Sequence, residues 1–229
     1  VRCAGKKDDT SGKGLVHIYC GDGKGKTTTS VGLTVRAAGS GKKVLFYQFL
    51  KDNSSSERNI LEKVPGITLV RGREMQKFTF QMNEQELDEL RIYNNEMSDK
   101  LFEMAKDYDM LVMDESVYAI KSNLLDEEKL ITHLEEKPVG LEVVLAGRNP
   151  SQKLMDHADY VSEIQKVKHP FDHGVSSRVG IIEKVLKMPT KTNVARVKAA
   201  GMENDALLQA VEKLQRERYI RCFNTVQML

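Results

Sequence analysis

The sequence predicts an α/β fold, a mostly parallel sheet with helices on both faces. Two observations carry that expectation. Short apolar runs alternate with helical periodicity along most of the chain, which implies right-handed crossovers between parallel strands. The first apolar run, Leu15-Val16-His17-Ile18-Tyr19-Cys20, is followed by a glycine-rich turn that opens a helix.

That turn is Gly21-Asp22-Gly23-Lys24-Gly25-Lys26-Thr27. A strand, a glycine-rich turn and a helix N-terminus together form an anion site, because glycine lets successive N–H groups curl around phosphate. Lys26 is expected to reach the terminal phosphates, and the Thr27 hydroxyl to meet a bound Mg²⁺. Cys20 stands where the full phosphate-loop pattern has glycine, so the match is the Gly-Lys-Thr end plus glycine enrichment in the right context. The fold expectation thereby narrows to a P-loop NTPase-like, RecA-like domain.

The totals agree with one enzyme-sized domain plus appendages. Among 229 residues, 40% are hydrophobic and 30% charged, as in a soluble globular chain. A net charge of +2 predicts no dedicated nucleic-acid or anionic-membrane surface. No apolar run approaches the roughly 20 residues that span a bilayer. Val1–Gly14 is polar and basic and reads as a flexible arm rather than a secretory signal. The three cysteines form no C-x-x-C, which argues for a reducing, cytoplasmic setting and against a structural metal site.

In chain order, a helix over Thr27–Ala38 is expected to bury Val31, Val35 and Ala38, and Gly39-Ser40-Gly41 to end it. Val44–Leu50 is nearly all apolar, as a strand covered on both faces would be. A short helix over Glu57–Lys63 and a strand over Ile67–Val70 follow. The 71–83 stretch is long, irregular and aromatic, the mark of a functional loop. From Glu84 to about Asp107, Leu87, Leu90, Met97, Leu101 and Met104 recur at helical spacing. Met110–Met113 is a strand ending at Asp114-Glu115. A helix over Asp126–Glu136, a strand over Glu142–Ala146, a helix over Ser151–Ala158 and a strand over Tyr160–Ile164 complete the alternation. Asn204–Tyr219 reads as a separate amphipathic helix with Leu207, Val211 and Leu214 on one stripe. The expected organisation is an arm at 1–14, a catalytic domain at 15–183 and a helical C-terminal extension at 184–229.

In a parallel sheet, ligands sit beyond the carboxyl ends of the strands. Asp114 and Glu115 occupy such an end, where a carboxylate holds Mg²⁺ directly or through water. Arg148, after the next strand, offers planar donors to phosphate oxygens or serves as an ordinary loop arginine. Arg36 is either a further nucleotide ligand or a solvated helix residue. These residues point to a Mg-nucleotide site and leave hydrolysis and phosphoryl transfer both open.

The motifs taken in order resemble one family. They are Gly21 to Thr28, Arg36-Ala37-Ala38-Gly39-Ser40-Gly41-Lys42-Lys43-Val44, Gln48-Phe49-Leu50-Lys51, Glu57-Arg58-Asn59, Leu61-Glu62, Phe78-Thr79-Phe80, Met113-Asp114-Glu115, Ala146-Gly147-Arg148 and Val167 to Val175. This set is similar to the P-loop corrinoid adenosyltransferases over about Gly14 to Glu183. The resemblance implies transfer of the 5′-deoxyadenosyl group of ATP to Co(I) of a reduced corrinoid, with triphosphate leaving. It implies ATP contacts at Gly21, Asp22, Gly23, Lys24, Gly25, Lys26, Thr27, Thr28, Arg36 and Arg148. It also implies Mg²⁺ (or Mn²⁺) at Thr27, Asp114 and Glu115, and catalytic roles for Lys26, Phe78 and Phe80. The two rings would displace the lower cobalt ligand, making Co(II) easier to reduce; relatives carry tryptophan where this chain has Phe80. His169 and His173 read as structural, since an added axial ligand would oppose that step. Also implied are cobalamin or a cobinamide-type corrinoid as partner, an electron donor such as a flavoprotein, and a homodimer. A P-loop ATPase or kinase, or a nucleotide-sensing module with a partner-binding helix, remain the alternatives. Two departures from the family pattern stand out: the chain runs on past Glu183, and Gly180-Ile181-Ile182-Glu183 carries an extra apolar residue.

Overall fold

A computed structural model describes residues 12–74, 79–175, 178 and 180–181, with the backbone alone at Phe80 and Phe171. Among the described residues, six strands form one sheet: β1 (Val16–Cys20), β2 (Val44–Gln48), β3 (Ile67–Leu69), β4 (Met110–Asp114), β5 (Glu142–Ala146) and β6 (Tyr160–Glu163). Their order is β3-β2-β4-β5-β1-β6 and every pairing is parallel. The helices are α1 (Lys26–Gly39), α2 (Arg58–Leu61), α3 (Glu84–Met104), α4 (Ser116–Lys121), α5 (Glu127–Glu136) and α6 (Gln152–Asp156). The chain divides into two compact units at Val167 and Lys168.

The uninterrupted apolar runs are explained by a core on each face. In β2 and β4 all five residues are buried, and alternate side chains enter opposite cores. Leu45, Tyr47, Leu111, Met113, Val143 and Leu145 pack with α3, α4, α5 and α6. Val44, Phe46, Met110, Val112 and Val144 pack with Ala37 of α1 and Leu61 of α2. The sheet with helices on both faces is therefore as the sequence predicts, and β6 at the edge is exposed along its length.

Local signals set the helix starts. Asn83 accepts from the Glu86 amide at 2.9 Å while Glu86 Oε2 accepts from the Asn83 amide at 2.9 Å, a reciprocal cap that begins α3. Asp126 and Ser151 cap α5 and α6 through the amides of Lys129 and Leu154. α1 differs, because Gly25 precedes it and no side chain caps its first turn.

The structure corrects the expected face of α1. Its buried residues are Lys26, Ser30, Thr34 and Ala37, whereas Val35 is 43% exposed and Val31 and Ala38 are half-buried at the flank. The hydroxyls of Ser30 and Thr34 donate to the carbonyls of Lys26 and Ser30 at 3.2 and 2.8 Å. Bonded within the helix, they are small enough to lie against the sheet without an unmet polar group. α4 was not expected, since six residues are too few to display a helical period. It packs through Val117 and Ala119. The C-terminal helix expected at Asn204–Tyr219, like Val1–Ser11 of the arm, lies outside the described residues.

Candidate active site at the carboxyl edge of the sheet

The phosphate loop joins β1 to α1, and its shape depends on what lies beneath it. Gly21 has φ 100°, and a Cβ there would come within 2.4 Å of the Ile164 carbonyl oxygen. At Gly23 a Cβ would come within 2.7 Å of the same oxygen, to which the Gly23 amide already donates at 2.7 Å. The loop is thus seated on the backbone that leaves β6, at a distance only glycine permits. Asp22 closes the same contact from the side, its Oδ1 accepting from the Lys166 amide at 2.9 Å. That hydrogen bond holds the Asp22 carboxyl below its ordinary range.

Lys26 is buried, and its Nζ donates to the carbonyls of Gly21 at 2.8 Å and Gly23 at 2.9 Å. Burial lowers its pKa, and the positive charge of Arg148 adds to the effect. An ammonium held by two neutral carbonyls, with Arg148 near, has much to gain from an incoming polyanion. The charge of Arg148 is also felt at Asp22 and Glu115. Arg148 itself is exposed, just past the end of β5. Lys24 and Thr28 are exposed, on the loop and in the first turn of α1.

The acidic side of the site is Asp114 and Glu115. Asp114 ends β4 and is fully buried. The Thr27 hydroxyl donates to its carboxylate, 3.1 Å from either oxygen. Lys51 Nζ donates to Oδ2 at 2.9 Å and Gln48 Nε2 to the same oxygen at 3.1 Å. Glu57 joins the group, 2.7 Å from Gln48 Nε2 and 3.5 Å from Lys51 Nζ. Burial alone would lower the pKa of Lys51, but the adjacent Asp114 carboxylate raises it overall, so the ammonium stays charged. Glu115 follows in a left-handed conformation, φ 60°, which turns the chain from β4 into α4. Burial raises its pKa, as does the negative charge of Asp114.

Not every expected residue gathers here. Arg36 is exposed in the last turn of α1, about 15 Å along the helix axis from Lys26 at 1.5 Å per residue. Its charge acts on Tyr19. Phe78 lies outside the described residues, and Phe80 falls in a 3₁₀ turn over Thr79–Gln81. His169 and His173 belong to the second unit, in and beside a 3₁₀ turn over Pro170–His173. Among the described residues, no cluster of three or more His, Cys, Asp or Glu side chains is arranged to hold a metal. The oxygen set here is two carboxylates and one hydroxyl, which suits Mg²⁺, an ion that keeps water and phosphate oxygens as its remaining ligands.

Sequence reasoning assigned no role to Gln48, Lys51 or Glu57, nor to Ile164–Lys166. The signal for the first two was their place at the carboxyl end of β2, where Gln48 is in register with Asp114. Ile164–Lys166 acts through backbone groups, which leave no mark on residue type.

The family model described as ATP:corrinoid adenosyltransferase BtuR/CobO/CobP matches residues 12–182. A corrinoid adenosyltransferase of Escherichia coli K12 is 34% identical over 174 residues, covering 74% of this chain and 85% of its own. The corrinoid adenosyltransferase CobA of Salmonella typhimurium matches with the same identity and coverage. One from Pseudomonas aeruginosa is 28% identical over 177 residues, covering 74% and 83%. Among solved structures, a KaiC-like protein of Pyrococcus horikoshii aligns over 68% of this chain and 75% of its own, at 14% identity and a TM-score of 0.41. With the family match spanning the phosphate loop, Asp114, Arg148 and the aromatic loop, this chain belongs to the ATP:corrinoid adenosyltransferase family.

Proposed function

We propose that this protein transfers the 5′-deoxyadenosyl group of ATP to the Co(I) centre of a reduced corrinoid and releases triphosphate. The observation that carries the reading is the continuous family match from residue 12 to 182. A bare ATPase or kinase accounts for the loop and Asp114 but gives no reason for the rest. The reaction forms a Co–C bond at the 5′-carbon and breaks the C–O bond to triphosphate. Co(I) supplies the electron pair, so no side chain has to remove a proton. The protein's tasks are alignment of the 5′-carbon with cobalt and stabilisation of charge on the leaving group.

Lys26 turns from the Gly21 and Gly23 carbonyls to the triphosphate, where the loop amides and the uncapped first turn of α1 add donors. Asp22, Lys24 and Thr28 border that cradle, and Arg148 supplies a second cation. Thr27, Asp114 and Glu115 would hold Mg²⁺, or Mn²⁺, which when bound would neutralise triphosphate charge. Asp114 is already held by Lys51, Gln48 and Thr27 and serves as the fixed anchor; Glu115 is the freer ligand. Phe78 and Phe80 act on the corrinoid's lower face. Arg36, distant from the loop, would meet only the nucleoside end of ATP. The family further suggests a flavoprotein electron donor, a homodimer and a cytoplasmic setting. No helix among the described residues is long and apolar enough to cross a membrane.

The test is incubation with ATP, Mg²⁺ and chemically reduced cobalamin. Expected are loss of the Co(I) absorption and stoichiometric triphosphate. Orthophosphate release with the corrinoid unchanged would replace this reading with an ATPase.

A further inference from the structure

Between β2 and α2 the chain makes a compact turn that touches two places at once. At its start Gln48 and Lys51 hold Asp114. Two residues later Asn53 bonds both backbone groups of Gly72: its Nδ2 donates to the Gly72 carbonyl at 3.0 Å, and its Oδ1 accepts from the Gly72 amide at 2.9 Å. A side-chain amide here does the work of a neighbouring strand, at the point where pairing of β3 with β2 has ended. The turn is tightly wound, with Leu50 and Asn53 both left-handed at φ 56° and 66°. Asparagine tolerates that conformation and most residues do not. From the other side, the hydroxyl of Tyr47 lies 3.1 Å from where a Gly72 Cβ would be, and Arg58 reaches the Val70 carbonyl at 3.4 Å. Gly72 is therefore held by Asn53 and closely approached by Tyr47, and it precedes in sequence the segment that carries Phe78 and Phe80.

We propose that Asn53 is a positioning residue for the corrinoid half of the reaction, fixing Gly72. The inference rests on the reading of Phe78 and Phe80 as corrinoid-facing. The Asn53 pair sets where the aromatic segment departs.

Steady-state kinetics on full-length Asn53→Ala, Asn53→Asp, Gly72→Ala and Phe78→Ala/Phe80→Ala test the positioning role. Asn53→Ala removes two hydrogen bonds, and the expected result is a corrinoid KM raised about tenfold. The ATP Kd by calorimetry should stay within about twofold of wild type, since P-loop and Asp114 are untouched. Asn53→Asp keeps the acceptor for the Gly72 amide and should recover part of the loss. Gly72→Ala crowds Tyr47 and should show the same split, which guards against poor folding of Asn53→Ala. Equal losses for both substrates together with a lowered Tm, or no change in corrinoid KM, would overturn the inference. If the phenylalanine pair leaves corrinoid KM unchanged, the reading of the loop fails; if that pair raises it and the Asn53 and Gly72 variants do not, the inference alone fails.

Discussion

The Thr27 hydroxyl lies 3.1 Å from both carboxylate oxygens of Asp114, joining the first turn of α1 to the end of β4. In the sheet β1 and β4 are not neighbours, since β5 runs between them. The contact exists because a phosphate loop lifts the start of α1 over the carboxyl edge, to which β4 delivers its last residue. It brings the nucleotide cradle and its acidic partner within one ligand's reach.

Lys26→Ala should lower kcat by at least a hundredfold, because removing a preorganised donor to a leaving group typically costs about 3 kcal/mol of transition-state stabilisation. ATP binding should weaken too, and Tm should change little. Near-normal kcat by the Co(I) assay would remove Lys26 from the phosphate cradle.

Asp114→Ala should destabilise the fold, because Lys51, with only 15% of its side chain exposed, loses its nearer counter-ion and keeps only Glu57 at 3.5 Å. Breaking a buried pair costs about 3 kcal/mol, or a Tm drop of roughly 6–12 °C for a domain of this size. The double change Asp114→Leu/Lys51→Met should recover much of that Tm by thermal melting while leaving the enzyme inactive. A double variant no more stable than Asp114→Ala would deny the pair its role. Glu115→Ala should instead keep its Tm and lose activity that raised Mg²⁺ partly restores, by mass action.

Phe78→Ala/Phe80→Ala should leave ATP affinity almost unchanged while strongly slowing adenosylation that starts from Co(II). The defect should shrink when Co(I) is pre-formed chemically, because the step the rings assist has been bypassed. Equal losses from both cobalt states, with a lowered Tm, would make the two rings core packing.

Asp99 gives a pH-dependent prediction away from the site. It pairs with Lys129 at 2.5 Å and His133 at 2.8 Å, joining α3 to α5. Partial burial would raise its pKa, but these two donors lower it below the ordinary 3.8. A depressed carboxyl contributes stability above its unfolded pKa and loses it as pH falls through the folded one. Asp99→Asn should therefore lower Tm at neutral pH, and the gap from wild type should close as pH drops below about 3.8. A gap constant with pH would show that the charge is not involved.

The sequence by itself determined the phosphate loop, the doubly covered strands and the acidic strand end, because each rests on local chemistry. Glycines before Gly25-Lys26-Thr27 and unbroken apolar runs at β2 and β4 leave few alternatives. The ordered motifs from Gly21 to Val175 were enough for the family. Tertiary structure decided what depends on contacts distant in the chain. Which stripe of α1 is buried followed from hydroxyls bonding inside the helix, so Ser30 and Thr34 displaced Val35 from the interior. That Lys51 completes Asp114 followed from β2 lying beside β4, a strand order no residue spells out. The seat of the phosphate loop on Ile164 and Lys166 is made of carbonyls and amides, which every residue except proline supplies alike. Periodicity and motif report what a side chain is; only the assembled sheet reports what it meets.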